Sequence, residues 1–178
     1  MRALLVYSSR TGNTRMLAQA VHAALDAALP QGAELHPVES APPPEGFGFV
    51  ALGFWVDKGR PDDKALEYMA KVQGQRVGFF GTMGANPDSE HGHGVLQAAR
   101  NALAGNEILC GHLCLGKIDP AITKAMSAHH PMTPERKARI ETASTHPDGV
   151  DCQAAAAVFA ETLAKLSAGA GQGREDAA

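Results

Sequence analysis

Short apolar runs recur along this chain and constrain its fold more than any other feature. The residues around Leu4, Phe49 and Val77 are continuously apolar rather than alternating with polar residues. Strands covered on both faces have this composition, which is typical of a parallel sheet packed between two layers of helices. The pattern predicts five strands, at residues 2–7, 33–38, 47–54, 76–81 and 107–115.

Helical patterns separate most of these strands. They cover residues 13–29, 61–72, 91–104 and 148–168. The first pattern ends before Pro30 and Gly32, which together stop a helix. Between the second and third strands, Pro42, Pro43 and Pro44 cannot continue one. This nearly regular alternation predicts an α/β fold, a doubly wound parallel sheet with helices on both faces.

The turn after the first strand is dense in groups that bind phosphate. Ser9, Thr11 and Thr14 supply hydroxyl donors, and Gly12 lets the backbone approach a ligand closely. The helix that follows leaves its first N–H groups unpaired and adds the positive end of its dipole. Because the turn lacks both the Walker A ending and the G-x-G-x-x-G fingerprint, it predicts a site for one terminal phosphate, with Arg10 as a neighbouring cation.

This turn resembles the FMN phosphate loop of the flavodoxin family, whose pattern is Ser/Thr-x-Thr-Gly-Asn-Thr. The residues that match it at every defined position are Ser9, Arg10, Thr11, Gly12, Asn13 and Thr14. The resemblance implies a five-stranded sheet in the order 2-1-3-4-5 and a non-covalently bound FMN. It also implies that the loops after the first, third and fourth strands form the cofactor site.

The loops after the third and fourth strands suit that site in position and character. The resemblance implies cofactor contacts there from Phe54, Trp55, Val56, Asp57, Lys58, Gly59, Thr82, Met83 and Gly84. Trp55 is the one tryptophan of the chain, and its indole can stack on a flat ring such as isoalloxazine. The fourth-strand loop has no aromatic residue, so Met83 is the candidate for the opposite face. Lys58 would favour the negative charge of a reduced flavin by Coulomb attraction.

Composition and charge argue against several classes of function. A net charge of −3 gives no field that would gather nucleic acid. No run of eighteen apolar residues exists, so no membrane span is expected, and the chain begins without a signal-peptide pattern, which predicts a cytoplasmic location. Cys110, His112 and Cys114 share one face of the fifth strand. They are interpreted as small, reduced core residues rather than half of a metal site.

The length of 178 residues predicts one domain. The flavodoxin-like domain is expected at residues 1–168, followed by a small, polar tail at 169–178 that is expected to be disordered. An inserted helical segment at about 116–148 contains two short helical patterns, at 120–127 and 133–143. It is interpreted either as a docking or lid element or as a surface embellishment.

The resemblance implies an FMN-binding electron-transfer protein that exchanges electrons with a partner flavoenzyme or iron–sulfur enzyme, as a monomer or weak dimer. The chain shows no obvious catalytic triad, so its chemistry would be that of the flavin. One alternative is an FMN-dependent oxidoreductase acting directly on a small substrate, because the turn also looks like that of flavodoxin-type protoporphyrinogen dehydrogenases. An accessory role in tetrapyrrole or bilin reduction belongs to this alternative. Another is a binding module that kept the fold and lost the flavin.

Overall fold

The structure is a computed structural model that describes residues 1–129 and 132–175. The strands are β1 (Ala3–Tyr7), β2 (Ala33–Pro37), β3 (Phe49–Asp57), β4 (Arg60–Pro61), β5 (Arg76–Met83) and β6 (Glu107–Leu115). The helices are α1 (Asn13–Ala28), α2 (Asp63–Met69), α3 (Glu90–Ala102), α4 (Pro120–His129), α5 (Pro134–Ala143) and α6 (Gly149–Glu175). A short 3-10 turn, Val38–Ser40, follows β2. Within the described residues, no helix is both long enough and apolar enough to cross a bilayer.

Five parallel strands form the sheet in the order β2-β1-β3-β5-β6. This confirms the predicted order 2-1-3-4-5, since β5 and β6 are the fourth and fifth predicted strands. The chain crosses from the β1–β2 side of the sheet to the β3 side after β2, so strand order reverses between β1 and β3. In open α/β sheets, ligands bind beyond the carboxyl ends of the strands at such a point.

The sequence did not predict β4, which pairs antiparallel with the end of β3. β3 continues to Asp57, three residues beyond the predicted end, and a two-residue turn then reverses the chain. Both turn residues have positive φ, 49° at Lys58 and 81° at Gly59. Two-residue hairpins of type I′ require positive φ at both positions, and a glycine accepts it without strain. The predicted loop is therefore a strand end and a tight hairpin.

Apolar residues cover both faces of the sheet, as the continuously apolar strands predicted. Leu4 and Val6 point into a core shared with α2 and α3, whereas Leu5 points into a core shared with α1 and α6. This division follows from the two-residue period of a strand. Phe159 of α6 fills the second core, with its ring edge-to-face against that of Phe80 at a centroid distance of 5.8 Å.

Glycines in β3 and β6 make room for phenylalanine rings of β5, the strand between them. A Cβ atom on Gly53 of β3 would lie 2.5 Å from Cζ of Phe80 on the neighbouring strand. A Cβ on Gly111 of β6 would lie 2.5 Å from Cζ of Phe79. Atoms do not approach this closely without repulsion, so the ring and the glycine are matched in size.

The helices differ from the predicted ranges mainly at their ends. Helix α2 starts at Asp63 rather than at residue 61, because Pro61 belongs to β4 and the Asp62 side chain accepts a hydrogen bond from the N–H of Ala65 as the N-cap. Helices α4 and α5 lie in the predicted inserted segment, and Thr133 caps α5 by accepting from the N–H of Arg136.

Helix α6 continues to Glu175, beyond residue 168, where the predicted helical pattern ends, and disorder of the tail stays a prediction. Once a helix is nucleated, each further residue adds a backbone hydrogen bond, which extends α6 through a small, polar sequence. The remainder of the predicted tail, residues 176–178, lies outside the described residues.

The three cysteines are free thiols. Cys110 and Cys114 of β6 belong to the core between the sheet and α6. Burial raises the pKa of both thiols, so they stay protonated and unreactive. His112 lies between them on the same strand, and its Nε2 has no hydrogen-bond partner among the residues that the structure describes. Burial lowers the pKa of His112, which keeps the imidazole neutral.

Candidate functional site

A cavity of about 430 Å³ opens at the carboxyl-terminal edge of the sheet, where the loops after β1, β3 and β5 meet. Of the fifteen residues that the sequence assigned to the site, twelve line it. They are Arg10, Thr11, Asn13, Thr14, Trp55, Val56, Asp57, Lys58, Gly59, Thr82, Met83 and Gly84. Three segments that are distant in the sequence are thus brought together at one edge, and the volume is in the range of small-molecule sites.

A second, more polar cavity adjoins the first one, with Arg10 and Thr11 lining both. It contains two of the three predicted residues that the main cavity lacks, Ser9 and Gly12. Arg15 adds a further guanidinium to its wall. The turn that was predicted to bind phosphate therefore forms a small compartment of its own beside the main cavity.

The start of helix α1 leaves its N–H groups available to a ligand. Gly12 is its N-cap residue, with φ 95° and no side chain that could accept from the first turn. By contrast, Asp62, Ser89 and Thr133 cap α2, α3 and α5 with side-chain oxygens. Of the first-turn N–H groups of α1, that of Arg15 donates to Ser9 Oγ at 3.3 Å. An anion bound here would take the place that a capping side chain has elsewhere.

Two side-chain hydrogen bonds, one of them buried, hold the first loop against the other two sides of the cavity. The hydroxyls of Thr14 and Thr82 lie 3.0 Å apart, and both residues are buried. Asn13 Nδ2 donates to the carbonyl oxygen of Lys117 at 2.9 Å. These two contacts fix the loop after β1 to β5 and to the segment after β6.

Trp55 stands on one side of the cavity, with its side chain partly exposed. The guanidinium of Arg10 lies 5.5 Å from the centroid of its rings and forms an ion pair with Asp119 at 3.1 Å. An indole face that carries a cation in this way is also able to stack on a flat, electron-poor ring.

The buried carboxyl group of Asp62 fixes the hairpin that carries Trp55. It accepts from Ser8 Oγ at 2.7 Å and, at a longer 3.4 Å, from the N–H of Trp55. The N–H of Asp62 in turn donates to the carbonyl oxygen of Trp55 at 3.1 Å. Asp62 is 3% exposed, and this burial raises the pKa of its carboxyl group in spite of the hydrogen bond from Ser8. It therefore links the loop after β1 to the β3–β4 hairpin.

Phe54, which the sequence assigned to the cofactor site, has its side chain in the core instead of at the cavities. Phe54 is fully buried, and its ring centroid lies 6.2 Å from that of Phe79 in the core beneath α2 and α3. The two-residue period of β3 places Phe54 on the same face as Val50 and Leu52 and turns Trp55 to the other face. Phe54 does not line either cavity.

Eight further lining residues were not among the fifteen assigned to the site. They are Ala85, His91, Gly116, Lys117, Ile118, Asp119, Ile122 and Arg139. Most follow β6, whose carboxyl end lies at the same edge of the sheet as those of β1, β3 and β5. The sequence contained a signal for these residues, because they follow the end of a predicted strand at residue 115. Arg139 lies on α5, and only the tertiary structure brings it to the cavity.

A separate polar cluster lies at the start of α6, where ligand atoms of His146, Asp148 and Asp151 are within 4.8 Å of one another. Asp148 accepts from the N–H groups of Val150 and Asp151, and Asp151 accepts from the N–H of Asp148. His146 Nδ1 lies 2.6 Å from Asp151, whose hydrogen bond raises the pKa of the imidazole. Reciprocal bonds of this kind are those of a helix cap, which accounts for the cluster.

Comparison with known proteins identifies the family. A sequence model of the flavodoxin domain matches residues 4–160. The flavodoxin-like domain-containing protein BilS of Clostridioides difficile (strain CD3) is 26% identical over 155 residues, which cover 83% of this chain and 88% of that protein. BilS of Clostridium symbiosum (strain WAL-14163) is 29% identical over 176 residues, with coverage of 86% and 92%.

Solved structures agree on the fold. Oxidised flavodoxin 2 from Bacillus cereus superimposes with a TM-score of 0.61 at 18% identity, over 93% of this chain and 99% of that one. The chain therefore belongs to the flavodoxin family.

Proposed function

We propose that this member of the flavodoxin family binds FMN without a covalent bond and carries electrons between redox enzymes. The observation that supports this most directly is the pair of adjoining cavities, one polar compartment at the uncapped start of α1 and one larger cavity beside Trp55. FMN consists of one phosphate joined to one flat ring system, which are the two kinds of group that these cavities suit.

The polar compartment fits a phosphate by the chemistry of its donors. Ser9 and Thr11 offer hydroxyls, Gly12 permits close approach of the backbone, and Arg10 and Arg15 supply positive charge. Glu39 also lines the compartment, but an ion pair with Lys64 at 2.6 Å compensates its charge. The donors are therefore sufficient for one phosphate monoester.

The larger cavity fits the ring system by shape and polarity. Trp55 offers an aromatic face on one side, while Met83 lies beside Thr82 and Gly84 at the end of β5. Ile118 and Ile122, from the segment after β6, add apolar surface that excludes water. When bound, the flavin supplies one- and two-electron redox chemistry, and these residues bind it, orient it and limit its contact with solvent.

The recipient of the electrons is proposed to be a partner flavoenzyme or iron–sulfur enzyme. The walls of the cavity hold Lys, Arg, Asp and His side chains but no nucleophile–base–carboxylate triad among the described residues. An electron carrier needs none, because its task is to hold the flavin and to present it to a second protein.

A second candidate is an FMN-dependent oxidoreductase that acts directly on a small substrate. The observation that favours it is the contribution of the 116–148 segment to the cavity, because Ile122 of α4 and Arg139 of α5 would lie beside a substrate above the ring. Turnover of a small substrate by the purified protein alone favours this candidate. A need for a second protein favours the carrier.

The visible spectrum of the purified protein tests FMN binding. We expect a yellow protein, or a colourless one that turns yellow and gains thermal stability when FMN is added. A ligand at 100 times its Kd stabilises the folded state by about 2.7 kcal/mol. A colourless protein that neither binds nor responds to added FMN would contradict the proposal and favour a binding module that has lost the flavin.

A pair of variants tests the phosphate compartment. Ser9→Ala/Thr11→Ala removes two hydroxyls that are expected to donate to a charged oxygen, each worth about 1.5–3 kcal/mol. FMN affinity should fall by about 100-fold or more. The matched control is Ser144→Ala/Thr145→Ala, which removes exposed hydroxyls that bond within their own turn, away from both cavities. Equal affinity in both double variants would refute the assignment of the loop.

A further inference from the structure

The mouth of the larger cavity carries an excess of positive charge in a chain that is negative overall. Four lysine and arginine side chains but only two carboxylates line the cavity, whereas the chain as a whole has a net charge of −3. All four cations have exposed side chains; Arg10 is paired with Asp119, and the other three, Lys58, Lys117 and Arg139, are called the cationic mouth below.

We propose that the cationic mouth is the docking surface for a partner protein and that it recognises a cluster of carboxylates on that partner. This rests on the proposed function, since an electron carrier meets its partner where the flavin reaches solvent. It goes beyond that function by assigning a negative charge to the docking surface of the partner.

The three cations of the mouth come from three different parts of the chain. Lys58 lies in the turn between β3 and β4, Lys117 follows β6, and Arg139 lies on α5. These three residues are far apart in the sequence and meet at one rim only in the folded structure. They are therefore not a short basic stretch of the chain. The inserted segment supplies two of them, which gives this segment a role.

No carboxylate within residues 1–129 and 132–175 forms an ion pair with Lys58, Lys117 or Arg139. The fourth lining cation, Arg10, is neutralised by Asp119 at 3.1 Å, which leaves Asp57 as the single unpaired carboxylate of the lining. Charges that are exposed and unpaired contribute little to stability but shape the field around a cavity.

Phosphate binding in the polar compartment is not assigned to any of these three cations. The polar compartment at the start of α1 has its own guanidiniums, from Arg10 and Arg15, and none of the three lines it. The carboxylates of α5, Glu135 and Glu141, do not line the cavity either. The excess charge is therefore local to the mouth and faces solvent.

The positive electrostatic field of the cationic mouth would attract and orient a partner surface that carries a cluster of carboxylates. Complementary charge raises association rates at low ionic strength and selects the orientation of docking more than it adds affinity. Cations at a rim suit a transient electron-transfer encounter, which must form and separate quickly.

Trp55 provides a direct test of the field, because it is the only tryptophan and stands in the cavity. The experiment titrates FMN-free protein with iodide and, separately, with caesium at a constant ionic strength of about 0.1 M, and it measures how strongly each ion quenches the fluorescence of Trp55. We expect iodide to quench more strongly than caesium. In Lys58→Glu/Lys117→Glu/Arg139→Glu the iodide-to-caesium ratio of quenching constants should fall by about threefold or more.

The control changes the net charge by the same amount away from the cavity. Lys71→Glu/Lys137→Glu/Lys165→Glu replaces three exposed lysines that do not line it, one of them on the same helix as Arg139. Its quenching ratio should stay close to that of the unchanged protein. A similar fall in both triple variants would show a global charge effect and overturn the local field.

A docking measurement completes the test with a peptide of six glutamates as the probe. Backbone amide shifts of the FMN-loaded protein should change at residues of the mouth, weaken as salt is added and disappear in the mouth variant but not in the control. Shifts elsewhere, or equal shifts with a peptide of six lysines, would overturn the proposal.

The two proposals fail in different ways. The quenching experiment uses protein without FMN, so its result stands even if the protein binds no flavin. Conversely, a mouth variant that still binds FMN, as judged by its visible spectrum, shows that loss of docking is not loss of the cofactor. If circular dichroism shows that the mouth variant is misfolded, the single variants Lys117→Glu and Arg139→Glu, at exposed positions, replace it. Each is expected to lower the iodide-to-caesium quenching ratio as well.

Discussion

Replacing Asp62 by Asn gives the sharpest test of how the loop after β1 is joined to the Trp55 hairpin. Asn keeps an oxygen that accepts from Ser8 and from the N–H of Ala65, but it cannot ionise. The variant therefore removes the charge of Asp62 and keeps its hydrogen bonds from Ser8 and Ala65, while the 3.4 Å bond from the N–H of Trp55 is lost.

The sign of the pH dependence follows from the raised pKa of Asp62. The folded protein holds this proton more tightly than the unfolded chain, whose carboxyl group titrates near pH 4. As pH rises from about 4 through the raised pKa, the folded state of the unchanged protein loses stability relative to Asp62→Asn. Each unit by which the pKa is raised corresponds to about 1.4 kcal/mol.

Asp62→Ala should behave differently from Asp62→Asn. It leaves the hydroxyl of Ser8, which is 4% exposed, without its acceptor, at a cost of about 1–3 kcal/mol. Loss of the cap on α2 adds about 1 kcal/mol. Relative to Asp62→Asn, which also has no titrating group at this position, the alanine variant is expected to be destabilised by about 2–4 kcal/mol at every pH.

Urea unfolding between pH 4 and 8, followed by the fluorescence of Trp55, measures both effects. The quantity of interest is the free energy of unfolding of the unchanged protein minus that of Asp62→Asn, since other titrating groups cancel in this difference. The difference should decrease as pH rises. A difference that is constant or increases with pH would refute the account of Asp62 as a carboxyl group whose charge is disfavoured by burial.

Further predictions concern the flavin and the sheet. In the FMN-loaded protein, Lys58→Glu should lower the semiquinone/hydroquinone potential by tens of mV, because it replaces an attraction to negative charge by a repulsion; potentiometry measures this, and an unchanged or raised potential would contradict it. Gly53→Ala should destabilise the fold by about 1–3 kcal/mol in urea unfolding, because its Cβ would lie 2.5 Å from Phe80. Gly94→Ala, at a helical site with open space around it, should instead be neutral or slightly stabilising, and equal losses in both would contradict the packing argument.

The sequence predicted the fold well because its signals are local or periodic. Continuously apolar strands, the helix stop at Pro30 and the phosphate turn all depend on neighbours in the chain. The order of strands did not come from these signals but from the resemblance that the phosphate turn carries. The hairpin at Lys58 and Gly59 was missed because Lys-Gly is a weak turn signal compared with Asn-Gly or Asp-Gly.

The candidate site was predicted less completely than the fold. Phe54 was assigned to it because it adjoins Trp55, although the period of β3 turns the two side chains to opposite faces. Ile118, Ile122 and Arg139 were missed because no local pattern shows where a helical insertion packs. Such contacts depend on tertiary structure, which a single sequence does not encode in any short window.

The fit between Gly53 and the ring of Phe80 has a consequence for how this protein can diverge. With a separation of 2.5 Å to a hypothetical Cβ, neither position can change in size alone without a cost to the fold. Enlarging the glycine is tolerable only where the phenylalanine has already become smaller, so the two positions are coupled. In an alignment of relatives they should vary together, as a pair of conserved total volume, while the loops at the edge of the same strands vary independently.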